Sequence, residues 1–156
     1  MSELFLRLNA LKGPVVVVGN KLPEADSISS ALAIVSYLRF YGVDVIYYIV
    51  ESPKDYQWML QKPHCMPFWF TYTPPDQFNS LVVVDDRFDV ERLGVQNLDI
   101  RGKSVLVIDH HESNKDMKSG DLLEIFWRDA PSTASILADE GFGFPLLYVG
   151  MHADTL

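Results

Sequence analysis

Three apolar runs in this 156-residue chain each finish on groups that can ligate a metal or move a proton. Pro14 to Gly19 leads into Asn20-Lys21-Leu22-Pro23-Glu24-Ala25-Asp26, Leu81 to Val84 into Asp85-Asp86, and Val105 to Ile108 into Asp109-His110-His111. A fourth apolar segment, Pro145 to Met151, is followed closely by Asp154. If the runs are neighbouring parallel strands, these side chains converge on one rim of a sheet, where open α/β folds bind their ligands. Carboxylates so close raise one another's pKa and persist comfortably only with cations present. Oxygen donors with one or two imidazoles suit Mn²⁺, Mg²⁺ or Fe²⁺ better than a structural zinc, which recruits more cysteine. Two such ions sharing a carboxylate can activate a water and hold both oxygens of a phosphoryl transfer. The chemistry expected is hydrolysis of a phosphoester or phosphoanhydride.

Each residue also has an ordinary structural role to weigh. Asp26 or Asp85 alone reads as a turn former or helix cap, so the combination carries the argument. Asp86-Arg87 and Glu91-Arg92 read as exposed charge pairs, and Asp129 as ordering the loop before Pro131. His64 beside Cys65 lacks the second pair that a zinc site needs. His152, two residues before Asp154, is left open between a place near the site and none.

The elements that must position these groups are legible as alternating patterns. Strands are expected at Pro14 to Gly19, Val43 to Val50, Ser80 to Asp85 and Ser104 to Asp109, with weaker candidates at Phe68 to Tyr72 and Leu122 to Trp127. Continuous apolar runs of this length suit strands covered on both faces. Ile28, Ala31, Leu32, Val35 and Leu38 recur at helical spacing, with Gly42 beyond them as a stop. Ser132 or Thr133 can cap a second helix that runs to Glu140, and Pro145 to Met151 reads as a helix or a buried strand. Glu51 to Asp76 holds five prolines and is expected to be irregular, with one short helix at Asp55 to Leu60 and one strand. The fold class expected is α/β, a doubly wound, mainly parallel sheet of about five strands with helices on both faces, forming one domain over residues 1–156.

Composition narrows the function. Apolar residues make up 48% and mean hydropathy is +0.06, the profile of a globular domain, and the longest apolar runs fall far short of a membrane span. A lone cysteine, Cys65, asks for no oxidising compartment, and no secretory signal pattern opens the chain, so a cytoplasmic location is expected. The formal charge of −8 repels long duplex nucleic acid. A carboxylate cluster holding cations would still attract a small phosphorylated substrate.

Asp109-His110-His111 after an apolar strand, Pro23-Glu24-Ala25-Asp26-Ser27-Ile28 upstream, Val84-Asp85 between them and Ala153-Asp154-Thr155 at the end together resemble the DHH phosphoesterase superfamily. That superfamily includes nanoRNases, cyclic-dinucleotide phosphodiesterases, RecJ-type exonucleases and manganese-dependent inorganic pyrophosphatases. The resemblance implies a two-manganese site, with Mg²⁺ as a substitute. Asp26, Asp85, His110 and Asp154 would hold one ion, Asp85 bridging to the other. His111 would face the substrate phosphate, and Asp109 would orient the adjacent imidazole. Ala130-Pro131-Ser132-Thr133-Ala134 resembles the helix start that packs beneath the site, and its N-terminus is expected to be able to receive a phosphate oxygen.

Two departures qualify the resemblance. Where the first motif usually reads His, Asp, Asp, this chain has Asn20, Glu24 and Asp26, which predicts a weakened second ion site. The resemblance implies a C-terminal substrate-binding domain that is expected to be missing from residues 1–156, so a fragment, or a chain covered by a partner or by a second copy in a homodimer, is expected. The leading function is metal-dependent hydrolysis of a phosphodiester or phosphomonoester in a small nucleotide or very short oligonucleotide. The alternatives are pyrophosphate or polyphosphate hydrolysis, and a non-catalytic nucleotide- or partner-binding module.

Overall fold

The computed structural model describes residues 2–153. In chain order the elements are α1 (Glu3–Asn9), β1 (Val15–Val18), α2 (Ala25–Phe40), β2 (Val45–Tyr48), β3 (Phe70–Thr71), β4 (Ser80–Val84), α3 (Val90–Leu93), β5 (Ser104–Asp109), β6 (Leu123–Trp127), α4 (Thr133–Asp139) and α5 (Leu147–Ala153). Three short 3₁₀ turns, at Lys54–Leu60, Pro67–Trp69 and Glu112–Asn114, fill the irregular stretches.

All six strands lie in one sheet in the order β3-β2-β1-β4-β5-β6, every neighbouring pair parallel. The sheet therefore has six strands rather than five. The added one, β3, is only two residues long, pairing Phe70 with Tyr47 and Thr71 with Tyr48. Pro67 before it and Pro74-Pro75 after it offer no N–H to a ladder, which holds it to the sheet's edge. The chain winds outward from β1 to β3, then returns to place β4 on β1's other side. That reversal puts a crevice at the carboxyl ends of β1 and β4.

Alternation along the strands divides the core. Val15, Val17, Val82, Val84, Leu106 and Ile108 face a layer that includes α1, α2, α4 and α5. Val16, Val18, Leu81, Val83, Val105 and Val107 face the opposite side, where only the four-residue α3 and irregular chain around Val95 and Leu98 cover them. Helices thus lie on both faces, but unequally. Every residue from Ala25 to Val35 in α2 is buried, including Ser27, Ser29 and Ser30, because α2 is packed by the sheet, α4 and α5 together. Gly150 of α5 is what permits this. A methyl group there would collide with Ser29 Oγ and come within 3.2 Å of Asp26 Cα.

The helix starts follow from their sequences. At α4, the Ser132 hydroxyl accepts from Ser135 N–H at 3.0 Å, while Ser132 N–H donates to Ser135 Oγ at 3.3 Å. This reciprocal box fixes where the helix begins. Pro145 to Met151, open between helix and strand from sequence, is helical from Leu147 onwards, where α5 begins. Among the described residues no helix is long and apolar enough to cross a membrane.

Candidate metal centre

Asp85 follows β4 directly, and its N–H donates to Ile108 O of β5 at 2.9 Å. Its φ of +62° is the left-handed conformation, which costs a non-glycine residue about 1–2 kcal/mol and which aspartate tolerates better than most. One strand over, Asp109 ends β5 in a buried position, and His110 and His111 follow. Ligand atoms of Asp85, Asp109, His110 and His111 all lie within 4.8 Å of one another.

Asp26, in the first turn of α2, approaches from the helical side. Its carboxylate accepts from Thr133 N–H at 2.9 Å, from Ala134 N–H at 2.7 Å and from Ser30 Oγ at 3.4 Å. The α4 N-terminus, expected to be available to a phosphate oxygen, is thus occupied by Asp26, an anion in the place that the helix dipole favours. Thr133 also donates its hydroxyl to Asp85 Oδ1 at 3.2 Å. Burial, and next the neighbouring Asp85 carboxylate, push Asp26 up to about 9 despite those amide donors.

His110 completes this group. Its Nδ1 lies 3.1 Å from Ala130 O, and a carbonyl can only accept, so Nδ1 carries the proton. Its other nitrogen, Nε2, faces Asp85 Oδ1, 3.2 Å away, and Asp26 Oδ2, 3.7 Å away. Three electron-rich atoms aimed at one another, with the imidazole oriented by a backbone carbonyl, form the donor set that a divalent cation requires. The residues fit the ion.

His111 is built differently. Its Nδ1 donates to Asp109 Oδ1 at 2.7 Å, and this bond raises the imidazole to about 9. Asp109 Oδ2 accepts from Asn114 Nδ2 at 2.7 Å, which leaves the buried carboxylate gripped on both sides. Trp127 Nε1 donates to His111 O at 2.9 Å and ties the loop to β6. The result is a half-exposed, cationic imidazole beside the carboxylate pair, suited to a phosphate oxygen.

Asn20 is exposed and its Oδ1 accepts from Leu22 N–H at 3.1 Å, closing a local turn. Glu24 is exposed at the N-cap position of α2 without capping it through its side chain. Glu24 is not among the four clustered donors. Asp154 lies outside the described residues, and His152 is exposed in the last turn of α5. Asp86, expected in an exposed pair with Arg87, is buried instead, its Oδ1 accepting from Arg92 Nε at 2.7 Å. The reason is local: β4 ends at Val84, and Asp86 turns inward to join α3 to the loop that carries Asn114, whose Nδ2 reaches Asp86 O at 3.2 Å. Sequence reasoning missed Asn114. An asparagine in a polar turn five residues after Asp109 gives no signal beyond that spacing.

Comparison with known proteins agrees with this architecture. An exopolyphosphatase-related protein from Bacteroides fragilis superposes with a TM-score of 0.72 at 18% identity, over 98% of this chain and 49% of that one. CDC45 from Entamoeba histolytica superposes with a TM-score of 0.50 at 15% identity, over 96% of this chain and 31% of that one. At such identities the likeness is one of fold, and this chain spans half or less of either structure's length. No curated protein matches the chain by sequence. Residues 14–140, which contain every strand of the sheet and all five residues of the centre just described, match the N-terminal domain of the DHH family, and the chain belongs to that family.

Proposed function

We propose that this chain is the catalytic part of a metal-dependent phosphoesterase that hydrolyses a phosphodiester or phosphomonoester of a small nucleotide or very short oligonucleotide. The observation that carries the reading is the convergence of Asp26, Asp85 and His110 Nε2, three donors supplied by separate parts of the chain. Manganese is the ion proposed, with Mg²⁺ as a substitute. When bound, a divalent ion supplies Lewis acidity to a phosphoryl oxygen and a nucleophilic water at neutral pH. The chain's own residues do the rest. Asp85, held by Thr133, faces both Asp26 and His110 and would hold the ion together with them. His111, kept cationic by Asp109, donates to the phosphate and stabilises the charge that develops on it. Asn114 and Trp127 position that imidazole rather than touching substrate.

Access to such a site is proposed to be closed by a covering domain, a partner or a second copy, in the cytoplasm. A second reading, a binding module with a degenerate metal site, is favoured by one observation: the Asn20 amide oxygen is already engaged by Leu22 N–H. Hydrolysis of a 5′-phosphorylated dinucleotide, pyrophosphate and tripolyphosphate at saturating Mn²⁺ separates the readings. The phosphoesterase reading expects turnover of the dinucleotide, reduced at least about 100-fold in His111→Ala. Turnover of pyrophosphate or tripolyphosphate alone would redirect the substrate class. Absence of turnover on all three would favour the binding module.

A further inference from the structure

Beside the metal centre, the loops that leave β1 and β2 enclose a cavity of about 490 Å³. Leu22, Pro23, Pro53 and Tyr56 give it apolar walls. Leu22 is 53% exposed, an unusual solvent exposure for a leucine at the carboxyl edge of a sheet. The two loops are fastened to each other, Glu51 N–H donating to Lys21 O at 3.2 Å and Lys21 Nζ pairing with Glu51 Oε1 at 3.6 Å. The cavity is therefore part of the built structure. Its polar lining is mainly acidic, with Glu24, Glu51 and Asp55 against Lys54.

Position and chemistry together select an occupant. Glu24 in the cavity wall stands two residues before Asp26, and β1, which leads into that loop, neighbours β4, which leads into Asp85. A nucleotide likewise presents its base beside its phosphate, one sugar away. A surplus of carboxylates repels a second phosphate but accepts hydrogen bonds from ring N–H and exocyclic amino groups. Flat apolar walls with one aromatic ring suit the faces of a heterocycle. We propose that this cavity is a nucleobase subsite for a base that presents N–H donors. The inference rests on the phosphoesterase reading and names its substrate class. It also gives Glu24, an unexpected residue for the first motif, a place in the wall of this subsite.

The test is calorimetric titration of the full chain, with Mn²⁺ present, against guanosine 5′-monophosphate and ribose 5-phosphate, which shares the phosphate and sugar but lacks the base. Two variants accompany it: Ser52→Trp, which fills the cavity from an exposed position on its rim, and Leu22→Ser, which removes an apolar wall. The subsite predicts that the nucleotide binds about tenfold more tightly than the sugar phosphate. Both variants should reduce that ratio towards one and leave ribose 5-phosphate affinity unchanged. Equal affinities in the unaltered chain, no binding of the nucleotide, or an undiminished ratio in Ser52→Trp overturns it. If the base preference holds but no phosphoester is hydrolysed, the catalytic reading fails and the subsite stands. Hydrolysis without any base preference gives the reverse.

Discussion

Asp85 works against the stability of the metal-free fold in two ways, through its left-handed backbone and through its repulsion of Asp26. Asparagine tolerates the same φ and keeps an oxygen for Thr133 while removing the charge. Asp85→Asn should therefore stabilise the metal-free chain by about 1 kcal/mol and abolish the rise in Tm that Mn²⁺ gives the unaltered chain, both read by thermal melts. A metal-free Asp85→Asn that melts lower would show that the pair is not strained. His111 permits a test with a definite sign. Its pKa of about 9 lies above the ordinary 6.5, so the bond to Asp109 stabilises the fold fully below about pH 6.5 and loses that contribution as pH rises through 9. Asp109→Asn should thus be more destabilising at pH 6 than at pH 9.5 in urea titrations, and should return His111 towards 6.5 by NMR. At this scale Asp109-His110-His111 was legible because three ligand-capable side chains end one apolar run. Asn114 was not, because its importance comes from burial between Asp109 and Asp86, which local pattern does not carry.

Among the elements, the junction of α2, α4 and α5 decides whether Asp26 reaches the site. Asp26 is held by the first amides of α4, and Gly150 lets α5 press against α2 at that level. Gly150→Ala should destabilise the chain by about 1–3 kcal/mol and weaken Mn²⁺ binding together. Gly143→Ala, which meets open space, should change neither. If Gly150→Ala were silent, the close approach would have no part in placing Asp26. The sequence patterns for α2 and α4 were clear, while α5 stood open between helix and strand. Apolar residues from Ile28 to Leu38 at helical spacing and a cap at Ser132 or Thr133 marked the first two, since capping and spacing are local properties. The two-residue β3 was only a weak candidate, since an edge strand set by its partner and bounded by prolines owes little to its own sequence.

For the molecule as a whole, a formal charge of −8 with carboxylates gathered on one sheet edge describes a fold that awaits cations. The parallel sheet and its switch point followed from alternating apolar runs and helical spacing. The unequal covering of its two faces did not, because nothing in β-branched strands says how much helix lies above each side. Reversal of strand order between β1 and β4 is what turns residues far apart in the chain into one centre. The central claim is that Asp26, Asp85 and His110 together hold divalent metal. Anomalous diffraction from manganese-soaked crystals tests it most directly. The expected result is a manganese peak within bonding distance of Asp85, His110 Nε2 and Asp26, a peak that Asp85→Asn crystals lack. Manganese bound only elsewhere, or no peak at that edge at saturating metal, would contradict the account.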